Sequence, residues 1–171
     1  YDFAWDEFCS FYVEIAKPRL SDPSQKQTTQ GVLAYSLDVL VRLLHPLMPF
    51  LTEEIWTTLA KVAPCRGLKE LVVAPSFVMQ SSWPILDEAW VDTSIEKQFS
   101  LFQQVLGAIR EIRSRQNIAP RETVPFSVRC NDSAKQLLQP MSAYFESMAA
   151  AQGIAWGETI EIPETNAHVA L

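Results

Sequence analysis

Glycine is scarce in this 171-residue chain: there are five, and none fall at the short fixed spacings of a phosphate-cradling loop. A loop that wraps a nucleotide with backbone N–H groups needs such glycines, so that class of site is not expected. Cysteine is scarcer still. Cys9, Cys65 and Cys130 stand far apart with no C-x-x-C, which predicts buried, unpaired thiols in a reducing compartment. His45 and His168 sit at no metal-ligand spacing from those cysteines, so no metal site is expected. No apolar run reaches the length of a membrane span and no signal-peptide pattern opens the chain, which together point to a cytoplasmic protein. Positive charge is also in deficit. The net charge of −6 argues against a protein that holds polyanions by bulk attraction.

Catalytic patterns are missing as well. There is no G-x-S-x-G. The adjacent Glu53 and Glu54 read as carboxylates in the first turns of a helix, where they suit its dipole. Cys9 lies among aromatics and reads as packing, and His45, between Leu44 and Pro46, as a helix-end residue bonded to backbone. No catalytic residue and no cofactor are expected in this chain.

What is present is helix. With 48% hydrophobic and 20% charged residues the chain can bury a core. Ala4, Phe8, Phe11 and Ile15 follow a helical period, with Trp5 and Tyr12 broadening the apolar face, and Pro18 is expected to stop or kink that helix near Lys17. No cap precedes Tyr1, so the chain is expected to begin partway through a larger protein. Ser24-Gln-Lys-Gln27 has capping-box spacing and starts a second helix, in which Leu33, Leu37, Leu40 and Leu44 share a face until His45-Pro46. A third helix runs from Pro49 to about Leu59, with Ile55, Trp56 and Leu59 inward. Residues 62 to 92 are broken by proline, glycine and serine, and Leu71 to Ala74 is at most a short extended piece. Thr93-Ser-Ile-Glu96 is a second capping box and opens a long fourth helix, on which Phe102, Val105, Ile109 and Ile112 draw one apolar stripe.

After Ala119-Pro120 the period changes. Val124, Phe126, Val128 and Cys130 alternate with polar or small residues as in a half-buried strand. Ser133 caps a helix bearing Leu137, Met141, Tyr144 and Met148, kinked at Pro140. Thr159 to Ile162 reads as a second strand, and His168 to Leu171 begins something unfinished. The expected fold is therefore mainly α: a helical bundle over residues 1–120, with a small α/β appendage over 121–171 that is incomplete at its C-terminus.

Charge is uneven along the chain. Residues 1–16 hold four acids and no base, and residues 122–171 hold six acids against Arg129 and Lys135. Residues 110–121, by contrast, gather Arg110, Arg113, Arg115 and Arg121 against the single acid Glu111. Such a cluster in an acidic domain suits an anionic partner. Arginine in a last helical turn also complements the helix dipole, so both readings stand. Arg110 and Arg113 are i, i+3 neighbours, Arg115 points away, and Lys17-Pro-Arg19 forms a second basic point.

Three stretches together resemble one family. Trp5-Asp-Glu-Phe-Cys-Ser-Phe-Tyr-Val-Glu-Ile-Ala-Lys-Pro-Arg-Leu20 is similar to a segment of valyl-tRNA synthetases, with Ser10 in place of a common carboxylate. Leu44-His-Pro-Leu-Met-Pro-Phe-Leu-Thr-Glu-Glu-Ile-Trp56 resembles a block of the same anticodon-binding domain, shared with isoleucyl and leucyl relatives. Ser82-Trp-Pro84 and Ala108-Ile-Arg-Glu-Ile-Arg-Ser-Arg-Gln-Asn-Ile-Ala-Pro120 follow in order. The resemblance implies a class Ia synthetase whose separate catalytic domain activates valine with ATP and Mg2+, while this domain grips the anticodon stem and loop of tRNA. The catalytic signatures of that family and its C-terminal coiled-coil arm are absent from these residues. The implied RNA-facing positions are Lys17, Arg19, Arg110 and Arg113, then Arg115, Asn117 and Arg121. A monomer that binds neither membrane nor DNA is expected. An isoleucyl homologue and a non-catalytic helical protein-interaction domain remain as alternatives.

Overall fold

The computed structural model of the protein describes residues 3–85, 87–161 and 167–170. The architecture is mainly α-helical, and among the described residues the strands form two small two-stranded sheets. The chain divides into two compact units, Tyr1–Asp87 and Glu88–Leu171. The boundary expected at residue 120 falls inside the second unit, between its long helix and its first strand.

In the first unit a π-helix, Phe3–Tyr12, runs into α1 (Val13–Ser21). A π-helix closes i→i+5 bonds and carries more residues per turn, so an apolar face laid out at 3.6 residues per turn does not line up along it. Phe3 and Trp5 are accordingly 65% and 62% exposed, and burial begins only at Ile15 and Ala16. The expectation of buried thiols fails for the same reason at Cys9, which is exposed; Cys65 is exposed and Cys130 half-buried, all three unpaired. Pro18 lies inside α1 rather than ending it. Proline loses its own N–H bond, yet its fixed φ is helical and the residues after it continue the turn.

Asp22 then caps α2 (Pro23–Leu44), two residues before the expected Ser24. Its carboxylate accepts from the Ser24 N–H at 2.9 Å and the Ser24 hydroxyl at 2.7 Å, while Pro23 fills the first helical position, where no N–H is needed. The Ser24 bonds hold the Asp22 carboxyl below its usual range. The cap is therefore fully present at neutral pH and is lost as pH falls through that lowered value.

α3 (Pro49–Val62) buries Thr52, Trp56 and Leu59. Val41 of α2, Trp56 and Val78 form the core here, with Leu37, Ile55 and Ala74 packed against them. β1 (Cys65–Arg66) pairs antiparallel with β2 (Val72–Val73), within the extended piece expected at Leu71–Ala74. His45 bonds to a side chain rather than to backbone: its Nδ1 lies 2.7 Å from the Thr52 hydroxyl, because the turn after α2 lays the ring over the start of α3. Glu53 is likewise no dipole partner in a first turn. It accepts the Val78 N–H at 3.0 Å and ties a short 3₁₀ turn, Val78–Gln80, to α3.

In the second unit α4 (Thr93–Arg115) is capped by Asp92, whose carboxylate accepts from Ser94 and Ile95 N–H groups at 2.8 and 3.3 Å. Phe102, Val105, Leu106 and Ile109 are buried along it, as is Arg113. β3 (Val124–Arg129) alternates half-buried and exposed as expected. Asn131, not Ser133, caps α5 (Asp132–Leu138), and Pro140 sits in the 3₁₀ turn before α6 (Ser142–Ala149).

β4 (Ala151–Gly157) returns parallel to β3. The second strand thus starts at Ala151 rather than Thr159; residues 159–161 lie outside it, and Ile162 lies outside the described residues. Of the expected last element, residues 168–170 have no regular structure and Leu171 is not described. β4 is poor in strand formers, holding two glycines and two alanines, and its partner β3 and α6 supply what propensity does not. One register shift opposite Phe126 and Ser127 skips Ile154, which is 67% exposed. The strand also needs Gly153: a Cβ there would stand 2.6 Å from the Trp156 ring.

Candidate nucleic-acid interface

The C-terminal end of α4 is closed by its own backbone. Asn117 adopts a left-handed conformation (φ 51°), the Ile118 N–H donates to the Arg113 carbonyl at 3.0 Å, and the Asn117 N–H donates to the Ser114 carbonyl at 3.2 Å. This pair of bonds is a Schellman closure, with asparagine where glycine is commonest. The chain then makes a second turn, in which the Glu122 N–H donates to the Ala119 carbonyl at 3.0 Å, with Pro120 and Arg121 between. Asn117 therefore has a backbone role that its sequence position alone did not show.

Arg113 is the best-anchored of the arginines between residues 110 and 121. It is 8% exposed, and its guanidinium donates to the carbonyls of Ala119 (2.5 Å), Glu122 (2.8 Å) and Ala150 (3.3 Å). Ala150 is the left-handed cap of α6 (φ 46°), and its carbonyl also accepts the Val124 N–H that opens β3. One side chain thus joins the end of α4, the following turn, the start of β3 and the end of α6. Arg110, one turn earlier and exposed, donates to the Met148 carbonyl at 3.3 Å. Both cations meet carbonyls at the negative end of α6, which they complement electrostatically.

These elements frame an open cleft of about 660 Å³, lined on one side by Arg110, Arg113, Ser114 and Asn117 and on the other by Glu146 to Ala150, with Ile118 to Pro120 as apolar floor. Three of the expected residues, Arg110, Arg113 and Asn117, are brought together there. Arg115 and Arg121 do not line it. Arg115 pairs with Glu111 at 2.6 Å on the exposed face of α4, a pair worth at most a few tenths of a kcal/mol. Arg121 is exposed and has no side-chain partner among the described residues. Lys17 and Arg19 belong to the first unit, both exposed at the end of α1, with the Lys17 ammonium 2.5 Å from Glu14. Nearby, burial pushes the Tyr12 phenol up, with Arg19 pulling against it.

The cleft presents the Arg110 and Arg113 cations, the Asn117 amide, the Ser114 and Ser147 hydroxyls, the Glu146 carboxylate and small apolar surfaces, a mixture that suits binding a polar partner. A family model described as the anticodon-binding domain of tRNA ligase matches residues 1–128. The chain belongs to that family of anticodon-binding domains. It is 58% identical over 171 residues to a valine–tRNA ligase of Rhodopirellula baltica, a match that covers all of this chain and 16% of that protein. It is similar also to a valine–tRNA ligase of Staphylococcus carnosus (32% over 167 residues, 96% of the chain and 18% of that protein). A valine–tRNA ligase of Listeria monocytogenes is 34% identical over 168 residues, again 96% of the chain and 18% of that protein. The chain thus spans under a fifth of the length of these relatives. These matches favour the valyl over the isoleucyl reading, and membership of an anticodon-binding family favours it over a protein-interaction domain.

A helix through Met148 was expected, but its end at Ala150, which completes the cleft wall of this anticodon-binding domain, had no signal in sequence. Ala149-Ala-Ala151 holds no glycine to mark a left-handed cap, so the point where α6 ends and β4 begins was hidden. That cap carries a testable cost. Ala150→Gly relieves the positive-φ strain and should raise stability by about 0.5–1 kcal/mol, a rise of about 1–4 °C in melting temperature. An unchanged or lower melting temperature would show Ala150 to be unstrained.

Proposed function

We propose that this chain is the anticodon stem-loop-binding domain of a valine–tRNA ligase. The longer protein would activate valine with ATP and Mg2+ on a separate catalytic domain, esterify it to tRNA(Val), and work as a cytoplasmic monomer. The observation that carries this reading is the 58% identity to a valine–tRNA ligase along the entire chain. The surface is compatible with it. Arg110, Arg115 and Arg121 are exposed at and beyond the end of α4, and Lys17 and Arg19 at the end of α1. Anticodon loops are single-stranded, so their phosphates meet guanidinium groups while their unstacked bases are open to hydrogen bonding. No described helix is long and apolar enough to cross a membrane. Lys17, Arg19, Arg110, Arg115 and Arg121 are the proposed phosphate-facing cations, with the buried Arg113 supporting them from within and the left-handed Asn117 closing the end of α4.

The test is binding of a synthetic anticodon stem-loop RNA at several salt concentrations. Affinity should fall steeply as salt rises, and exchanging the valine anticodon for another should weaken it. Equal binding of both anticodons removes the reading role, and absence of RNA binding removes the function. Arg121→Ala should lower affinity about three- to ten-fold, reduce the salt slope by about one, and leave the melting temperature unchanged. A stability loss in that variant would assign Arg121 a structural role.

A further inference from the structure

We propose that Arg113 is a positioning residue of the RNA interface: it sets the turn that presents Arg121 and does not itself meet RNA. The inference rests on the anticodon-binding reading above and assigns a mechanism within it. Arg113 lies in the last turn of α4 and is 8% exposed, with little of its surface open to a ligand. Both terminal nitrogens are engaged by backbone. Nη2 donates to Ala119 at 2.5 Å, and Nη1 donates to Glu122 at 2.8 Å and Ala150 at 3.3 Å.

Ala119 and Glu122 are the first and last residues of the turn that holds Pro120 and Arg121. The guanidinium therefore grips both ends of a four-residue turn and fastens it to the capped end of α6. Pro120 restricts the same turn from inside by fixing its own φ. Arg121, exposed and without a side-chain partner among the described residues, is the charge carried at its apex. A flexible turn would spread that charge over many positions, and ordering it would oppose binding; the planar fork of Arg113 orders it beforehand. Lysine cannot substitute, because one ammonium cannot span both ends of the turn and the end of α6 with the geometry of a fork.

The experiment is a double-mutant cycle on the full chain, read by binding of the synthetic valine-anticodon stem-loop, with Arg113→Lys, Pro120→Gly and Arg121→Ala made singly and Arg121→Ala combined with each of the others. Arg113→Lys keeps the charge, so it should weaken binding about as much as Arg121→Ala, three- to ten-fold. Each combination should lose no more than Arg121→Ala alone. Amide exchange at Ile118 and Glu122 should quicken in Arg113→Lys while amides of α2 and α3 keep their protection. Multiplying losses in the combined variants would mean that Arg113 acts independently of Arg121, and would overturn the proposal. Wild-type affinity in Pro120→Gly would overturn it too, by a route that leaves Arg113 and its packing intact should Arg113→Lys fail to fold. If the unaltered chain binds no stem-loop RNA, the anticodon-binding reading falls and the inference with it; binding with additive losses sinks the inference alone.

Discussion

Asp38→Ala should destabilise the first unit by about 3–5 kcal/mol, the range found when one partner of a buried ion pair is removed. The Asp38 carboxylate, 7% exposed, receives Arg66 Nη1 at 3.0 Å and Arg42 Nη2 at 2.5 Å, and the Arg66 side chain is only 3% exposed. Arg66 also donates to the Ala63 carbonyl at 2.9 Å and lies 4.1 Å over the Trp56 ring. With the carboxylate gone, a guanidinium remains buried with only carbonyls and a π face to balance it. Arg42 would retain its bond to the Ser82 carbonyl, 3.0 Å away, and can turn toward water because its side chain is 17% exposed. The asymmetry makes Arg66 the costly partner. Urea unfolding should show a lowered midpoint with an unchanged slope. A loss under about 1 kcal/mol, the value of an exposed pair, would mean that water reaches Arg66 and that the centre is not a buried one. The centre joins α2 to β1 and to the segment around Ser82, so it sets much of the irregular stretch that follows α3.

None of that was legible in sequence, for a physical reason. Asp38, Arg42, Arg66 and Ser82 are brought together by tertiary structure, and Arg66 lies in a two-residue strand that no periodicity announces. The helices were legible because their apolar residues repeat at helical spacing over many residues: α2, α3 and α4 lie where the period placed them. α3 starts at Pro49 as expected, whereas the caps of α2 and α4 were misplaced by two residues and one because aspartate at 22 and 92 took the capping role from Ser24 and Thr93. The π-helix broke the assumption of 3.6 residues per turn and with it the expected burial of Trp5 and Cys9.

The basic cluster at residues 110–121 was legible as a cluster, but its members differ in ways that charge alone does not reveal. Arg113 lies on the core side of α4, beside Val105, Leu106 and Ile109, and its head reaches carbonyls from later segments. Arg115 is turned to solvent and paired along its own helix, and Arg121 stands beyond the helix on a turn. Sequence placed four like charges together; backbone carbonyls at two helix ends decided which were held inward.

Phe145→Ala should cost about 3–5 kcal/mol in the second unit, as expected for emptying a large aromatic site that cannot collapse. Phe145 is fully buried, and its ring centroid lies 4.8 Å from that of Phe102, 5.2 Å from Phe126 and 6.0 Å from Trp156. Those rings come from α4, β3 and β4, so this one side chain holds α6 to every layer it touches. Aromatic pairs at such distances add to the burial term, whereas Phe145→Leu keeps much of the volume and should cost about 1.5 kcal/mol or less. Ile154→Ala, at the exposed bulge of β4, serves as the reference and should change little. If Phe145→Ala cost no more than Ile154→Ala, the aromatic cluster would not be the core of this unit. The consequence extends to the interface. Glu146 to Ala150, which follow Phe145 directly, form one wall of the cleft, and the Ala150 carbonyl is one of the three that Arg113 holds. Loosening α6 by Phe145→Ala should therefore weaken stem-loop binding even at temperatures where the unit remains folded, whereas Ile154→Ala should leave it unchanged. Retention of full affinity in folded Phe145→Ala would show that the cleft wall takes no part in holding RNA.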